Sequence, residues 1–289
     1  MLQPQTFVSR REFMATAAAA ALVSRLRATA GGVRLGVCTN LNNLDAVVAA
    51  GFDYIEPSAA DIAALDEAGF AAAKQQVLAS KIRCESFNSF IRRPDLNVVG
   101  EEVHDAALVD YMETTLARCH QLGAQVVVWG SAGSRNVPAG FPRERAWRQI
   151  ADFLQEAGEI AATKNLVVAI EPLRHQESNI FNTGAEAFKM VREVNHPNVK
   201  MIIDYYHLHT EHEDPKILWE ARKAIVHFHF ANPAGRVWPK QPSEDPEYAA
   251  FFTQLKRLHY HGGLSVEARG SAQADGAAAL RFFHEELGA

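Results

Sequence analysis

From Gly31 onward, a short apolar run rich in Val and Ile is followed by a longer stretch of helical period, and this alternation recurs eight times. The runs are Arg34–Thr39, Tyr54–Glu56, Arg83–Phe87, Gln125–Trp129, Val167–Glu171, Lys200–Asp204, Ile225–Phe230 and Leu264–Glu267. The helical stretches are Leu44–Ala50, Phe70–Ser80, Val103–Leu122, Arg143–Lys164, Ala185–Val194, Pro215–Lys223, Pro246–Leu258 and Asp275–Leu287. Val126-Val127-Val128 and Val167-Val168-Ala169-Ile170 are apolar without alternation, as parallel strands covered on both faces are. Eight β-then-α units in a chain of 289 residues predict a single-domain α/β protein, a closed (β/α)8 TIM barrel. An open doubly wound sheet usually carries a glycine-rich phosphate loop after its first strand. Here that strand runs into Cys38-Thr39-Asn40-Leu41 instead. The long connection Ser86–Glu102, after the third strand, reads equally as a lid or as a surface excursion.

The segment before the repeat has another character. Arg10-Arg11 precedes a weakly apolar run, Ala15 to Val23, and an Ala28-Thr29-Ala30 step follows just before Gly31. A twin-arginine pair, a short apolar region and a small-residue cleavage site in that order resemble a bacterial twin-arginine (Tat) export signal. The expected division is therefore an export signal over residues 1–30 and a barrel over residues 31–289, with a periplasmic location. No run reaches the roughly 18 consecutive apolar residues of a membrane span. Without Arg10, Arg11, Glu12, Arg25 and Arg27, the chain keeps 25 basic and 33 acidic residues of its original 29 and 34, a net charge of −8 with His neutral. Such a surface suits nucleic acid poorly. Cys38, Cys84 and Cys119 fit neither a metal knuckle nor a disulfide framework, and are expected to be buried thiols.

Acids and histidines stand where strands end. The fifth run ends in Glu171, the sixth in Asp204 and the eighth in Glu267, while the seventh alternates His227 and His229 with Phe228 and Phe230. Residues at the C-terminal ends of barrel strands converge on one mouth. One such acid alone reads as a helix cap or a salt bridge. Several uncompensated carboxylates buried at one point would cost several kcal/mol each, and a divalent cation removes that penalty. Glu171, Asp204, His229 and Glu267 are thus candidate ligands. Three carboxylates with one imidazole suit one divalent ion, Mn²⁺ foremost, with Mg²⁺, Co²⁺ or Zn²⁺ as the other fits. His227 shares a face with His229 and is either a partner behind the ligand or a satisfied interior residue. Trp129, Phe87 and Trp238 fall near the mouth and either stack on a sugar ring or pack the barrel.

These motifs resemble those of the xylose-isomerase-like barrel superfamily. Glu171-Pro172-Leu173 with Glu177, Asp204-Tyr205-Tyr206-His207, His227-Phe228-His229 with Arg236, and Leu264-Ser265-Val266-Glu267 follow in its order over Val33 to Leu287. The similar branch is that of sugar (phosphate) isomerases and epimerases, with tagatose/psicose 3-epimerases and hydroxypyruvate isomerases among them. The resemblance implies that Glu171, Asp204, His229 and Glu267 bind the metal. It implies further that Glu177, His207 and Arg236 hold substrate oxygens and that Glu171 and Glu267 double as the acid/base pair. The stretch from His229 to Arg236 is one residue longer than in the 3-epimerases and contains Pro233 and Gly235, which leaves the reach of Arg236 open.

The expected chemistry is isomerisation or epimerisation of a small carbohydrate through a metal-stabilised enediolate. An export signal and the lack of a phosphate cradle or a late Lys/Arg cluster point to an unphosphorylated sugar. The alternative reaction is cleavage of 3-keto-glycosides by a periplasmic lyase or hydrolase with the same metal site. An AP-endonuclease-like activity would need more histidines and a basic groove. A non-catalytic sugar-binding protein would not need the acid/base pair. Homo-oligomer formation stays open.

Overall fold

The computed structural model describes residues 32–288 apart from residue 104; the expected export signal lies outside them. Eight strands run parallel: β1 (Arg34–Cys38), β2 (Tyr54–Glu56), β3 (Ser86–Phe87), β4 (Val126–Trp129), β5 (Val167–Ile170), β6 (Val199–Asp204), β7 (Ile225–Phe230) and β8 (Gly263–Val266). Their order is β2-β1-β8-β7-β6-β5-β4-β3. Parallel bridges Tyr54↔Arg83 and Ser58↔Asn88 span the remaining gap between β2 and β3, so the sheet nearly closes into the expected TIM barrel. The predicted third strand, Arg83–Phe87, shrinks to two residues because it pairs continuously only with β4.

Helices follow the strands: α1 (Leu44–Ala50), α2 (Ala59–Ala63), α3 (Glu67–Ala79), α4 (Asp105–Gln121), α5 (Ala132–Arg135), α6 (Arg143–Thr163), α7 (Gly184–Val194), α8 (Tyr205–Thr210), α9 (Ile217–Glu220), α10 (Tyr248–Arg257) and α11 (Ala272–Leu287). Side chains of Ser58, Asp66, Thr183 and Ser271 cap α2, α3, α7 and α11 by accepting a backbone N–H. The short helices α2, α5 and α8 carry too few residues to show a helical period, so the sequence does not reveal them. Among the described residues, no helix is long and apolar enough to cross a membrane.

Alternation within the strands sorts the core into two. Val127, Trp129, Val168, Ile170, Phe228 and Phe230 join the main cluster beneath the helices. Val126, Val128, Val167, Ala169 and Ile202 form a separate cluster inside the barrel, joined by Val226 where a register shift between β6 and β7 breaks the alternation. Phe230 stacks on Tyr205 at 4.7 Å between ring centroids and packs against Phe252 and Phe282. That outward anchor fixes β7, and the two-residue repeat of a strand then turns His229 inward. Gly36 in β1 permits the close approach of β2: a Cβ there would lie 2.2 Å from the Tyr54 ring.

Segment 86–102 is an anchored excursion. Phe90, Ile91, Leu96, Val98 and Val99 are buried in the core cluster, Ile91 N–H donates to Ser131 Oγ, and Val98 N–H to the Ser134 carbonyl. Trp129 and Phe87 are fully buried and Trp238 nearly so, packed edge-on to Phe52; all three serve packing.

Candidate metal centre and active site

Glu171 follows β5 directly, Asp204 ends β6, His229 is the penultimate residue of β7, and Glu267 follows β8. The ladders align Asp204 with His229, and His229 with Ser265, so neighbouring strands end at one level. One potential ligand atom from each of the four residues lies within 4.8 Å of all the others. His229 Nδ1 is 3.0 Å from Glu171 Oε1 and 3.3 Å from Glu267 Oε2. Asp204 is both things its position suggests. Its Oδ1 accepts the Tyr206 N–H and caps α8, while its Oδ2 faces the cluster.

Burial sets the electrostatics. Asp204 is pushed up to about 7, first by desolvation and then by the charges of Glu267 and Glu171, against the opposing Arg236. Desolvation and Glu267 also raise Glu171. Desolvation pushes Glu267 up as well, but the hydrogen bond and charge of His229, with Arg236, outweigh it and bring Glu267 down to about 2. Neighbouring carboxylates pushed apart in this way are suited to opposite roles as acid and base. The donor set fits a divalent cation: three buried carboxylates repel one another, and their oxygens converge with one imidazole nitrogen at a single point.

His207 shows how a substrate oxygen can be held. Its Nδ1 accepts the backbone N–H of Arg174 at 3.2 Å, so the ring proton sits on Nε2. Nε2 is buried without a hydrogen-bond partner, 3.5 Å from Asp204 Oδ2. Desolvation, then Arg236, lowers His207 to about 3, so it is a neutral donor at ordinary pH.

Arg236 reaches the site despite the longer stretch before it. Gly235 (φ +88°) and Arg236 (φ +52°) both adopt left-handed backbone, and an Asn232↔Val237 bridge closes the turn. Two such residues in succession absorb the extra length. The guanidinium lies 2.7 Å from Glu267 Oε2 and 3.4 Å from Asp204 Oδ2, over the Tyr206 ring. Glu177 stands further out, accepting from Arg174 Nε at 2.6 Å and lying 3.6 Å from Arg236.

The centre opens into a cavity of about 690 Å³ whose lining includes Cys38, Asn88, Arg174, Tyr206, Arg236 and Arg269. Two expectations change here. Cys84 and Cys119 are buried, but Cys38 is half-buried in the mouth, its Sγ 3.7 Å from His229 Nε2. Arg174, Arg236 and Arg269 come from separate loops yet share one wall, a clustering that sequence order hides. Carboxylates hold two of the three.

Three further residues shape the centre. Glu56, at the end of β2, accepts from His229 Nε2 at 2.9 Å. It carries the same signal as the other acids, an apolar strand ending in a carboxylate, and attention to the last four strands alone passes it over. Arg135 is fully buried, donates to the carbonyls of Trp129 and Glu171, and stacks between Trp129 and Phe181. Gly130 leaves room for the Glu171 carboxylate: a Cβ there would meet Glu171 Oε2 at 1.8 Å. Gly130→Ala is therefore expected to displace Glu171 while the barrel stays folded. Cation affinity by calorimetry should fall at least tenfold with an unchanged circular dichroism spectrum, and unaltered affinity would contradict the placement of Glu171.

A family model described as xylose isomerase-like TIM barrel matches residues 44–285. The 3-dehydro-D-guloside 4-epimerase of Escherichia coli (strain K12) is 27% identical over 184 residues, 61% of this chain and 69% of that protein. The L-ribulose 3-epimerase of Methylomonas sp. (strain DH-1) is 29% identical over 150 residues, 52% of this chain and 50% of that protein. Among solved structures, a D-psicose 3-epimerase in the presence of D-fructose superposes with a TM-score of 0.78 at 18% identity, covering 89% of this chain and 100% of the other. The IOLI protein with a binding zinc atom gives 0.69 at 21% identity, covering 88% and 98%.

Proposed function

Because the chain belongs to the xylose isomerase-like TIM barrel family, we propose that it is a divalent-metal-dependent sugar epimerase or isomerase acting on a small, unphosphorylated carbohydrate. The observation that carries this reading is the convergence of Glu171, Asp204, His229 and Glu267 at the barrel mouth. Three of the similar proteins named above are epimerases of keto sugars or keto-glycosides, which supports the reaction class and does not favour the lyase. The zinc in the IOLI structure supports a metal in this family, and Mn²⁺ is the foremost choice for three carboxylates and an imidazole. Residues 1–30, read as a twin-arginine signal, support a substrate met in the periplasm, where sugar phosphates are scarce.

A cation held by the four residues would polarise the substrate carbonyl and contribute several kcal/mol of charge stabilisation. The chain supplies the rest. One carboxylate of the Glu171/Glu267 pair takes the proton beside the carbonyl and leaves an enediolate; the other returns a proton. Return to the opposite face of the same carbon inverts it, and return to the neighbouring carbon moves the carbonyl. His207 donates from Nε2 to a substrate oxygen. Arg236 keeps Glu267 ionised and flanks the same oxygens, while Tyr206 offers a ring face in the wall.

The test incubates Mn²⁺-loaded protein in D2O with free ketoses, with 3-keto-glycosides and with ketose phosphates. Expected are interconversion of epimers and deuterium at the carbon beside the carbonyl, both abolished by chelator. Turnover confined to phosphorylated sugars, or undiminished after metal removal, would overturn the proposal.

A further inference from the structure

We propose that Glu56 is the positioning residue of the metal centre: it claims the Nε2 proton of His229 and so leaves Nδ1 as the nitrogen offered to the cation. This rests on the metal-site reading above and concerns a residue outside the ligand set. Glu56 has no solvent exposure. Its Oε1 faces His229 Nε2 at 2.9 Å; its Oε2 faces His227 Nε2 at 2.8 Å, Ser86 Oγ at 2.6 Å and Ser265 Oγ at 2.5 Å. A carboxylate only accepts, so each of these neighbours donates. The bond to Glu56 therefore holds a proton of His229 on Nε2, and Nδ1, which donates to Glu171 while no cation is bound, is the nitrogen left for a cation that displaces its proton.

Packing alone does not call for a charge there. On the side of β4 and β5 the barrel interior is filled by Val126, Val128, Val167 and Ala169. Glu56, His227, Ser86 and Ser265 occupy the other side, where an apolar floor would avoid desolvating a carboxylate. Glu56 is also a poor ligand itself, since four donors already take up its oxygens. What the buried charge achieves is orientation of an imidazole and greater basicity of its free nitrogen. Removing such a partner typically weakens metal affinity by about 10- to 100-fold.

His227 provides the control, because it bonds the same carboxylate and meets His229 only edge to face, with ring centroids 5.1 Å apart, hydrogen-bonding to none of the four candidate ligands. Isothermal titration of the metal-free full-length protein with Mn²⁺ would compare wild type, Glu56→Gln and His227→Gln. Both variants are expected to melt lower, since each leaves a buried polar group short of a partner. Only Glu56→Gln is expected to lose cation affinity, by about tenfold or more. Affinity within about twofold of wild type in Glu56→Gln, or an equal loss in His227→Gln, would overturn the proposal. A measurement on wild type guards against a variant that does not fold. With ¹¹³Cd²⁺ bound to ¹⁵N-histidine-labelled protein, the metal coupling should appear on Nδ1 of His229 and the proton on Nε2; the reverse pattern refutes the role of Glu56. Wild type that binds neither Mn²⁺ nor Cd²⁺ would instead refute the metal centre itself.

Discussion

Glu267→Gln and Glu171→Gln are each expected to lower kcat by about 10²- to 10⁴-fold, the range that a positioned acid or base contributes. The amide keeps the shape of the side chain and removes its ability to take or give the proton. Both carboxylates approach His229 Nδ1, from the ends of neighbouring elements on either side of β6 and β7, so a carbon bound in the mouth can be reached from two directions. Their proton affinities are pushed apart, Glu171 up and Glu267 down, which suits one to give a proton while the other takes one. Because both are also candidate ligands, the metal content of each variant has to be measured beside its rate. Deuterium exchange separates the roles further. A variant that has lost only the returning acid still removes the proton from one epimer and washes deuterium into it without making the other. A Glu267→Gln protein with full metal content and wild-type turnover would end the acid/base assignment.

The barrel was legible because eight apolar runs alternate with helical stretches. The centre was legible because parallel strands carry their final residues to one end, so Glu171, Asp204, His229 and Glu267 could be grouped without knowing any distance. What stayed hidden depends on closure of the sheet. Glu56 touches His229 only because β1 and β8 bring β2 round to β7. Arg135 lies in a four-residue helix with no readable period, and its contact is with a backbone carbonyl, for which side-chain pattern carries no signal. Arg236 is delivered by two left-handed residues, and only the glycine of the pair is conspicuous in sequence. Arg174, Arg236 and Arg269 follow three different strands, so no local charge run announces their common wall.

Cation binding should weaken steeply as pH falls through about 7, and the stabilisation that the cation confers should fade with it. Asp204, pushed up to about 7 by burial and by its carboxylate neighbours, must lose its proton before an ion can sit between these groups. Below that pH each proton displaced makes the apparent affinity fall by about tenfold per pH unit. A bound ion at about 100 times its dissociation constant adds about 2.7 kcal/mol to stability, so the cation's increment to the melting temperature should be large at pH 8 and small at pH 5.5. The metal-free protein should behave differently. Protonated Asp204 stabilises the fold fully below its unfolded value near 4, and that contribution is lost as pH rises through about 7. His207 works in the opposite sense: lowered to about 3, it contributes stability above about 6.5 that is lost as pH falls through about 3. Glu171 and His229 are raised as well and add to the slope of Asp204, so the chelator-treated melting temperature should fall as pH rises from 5 to 8 while the increment from the cation grows. Melting curves with and without Mn²⁺ between pH 5 and 8, beside calorimetric affinities at both ends, read the difference directly. An affinity that is the same at pH 5.5 and pH 8 would mean that Asp204 is not among the groups the ion displaces protons from.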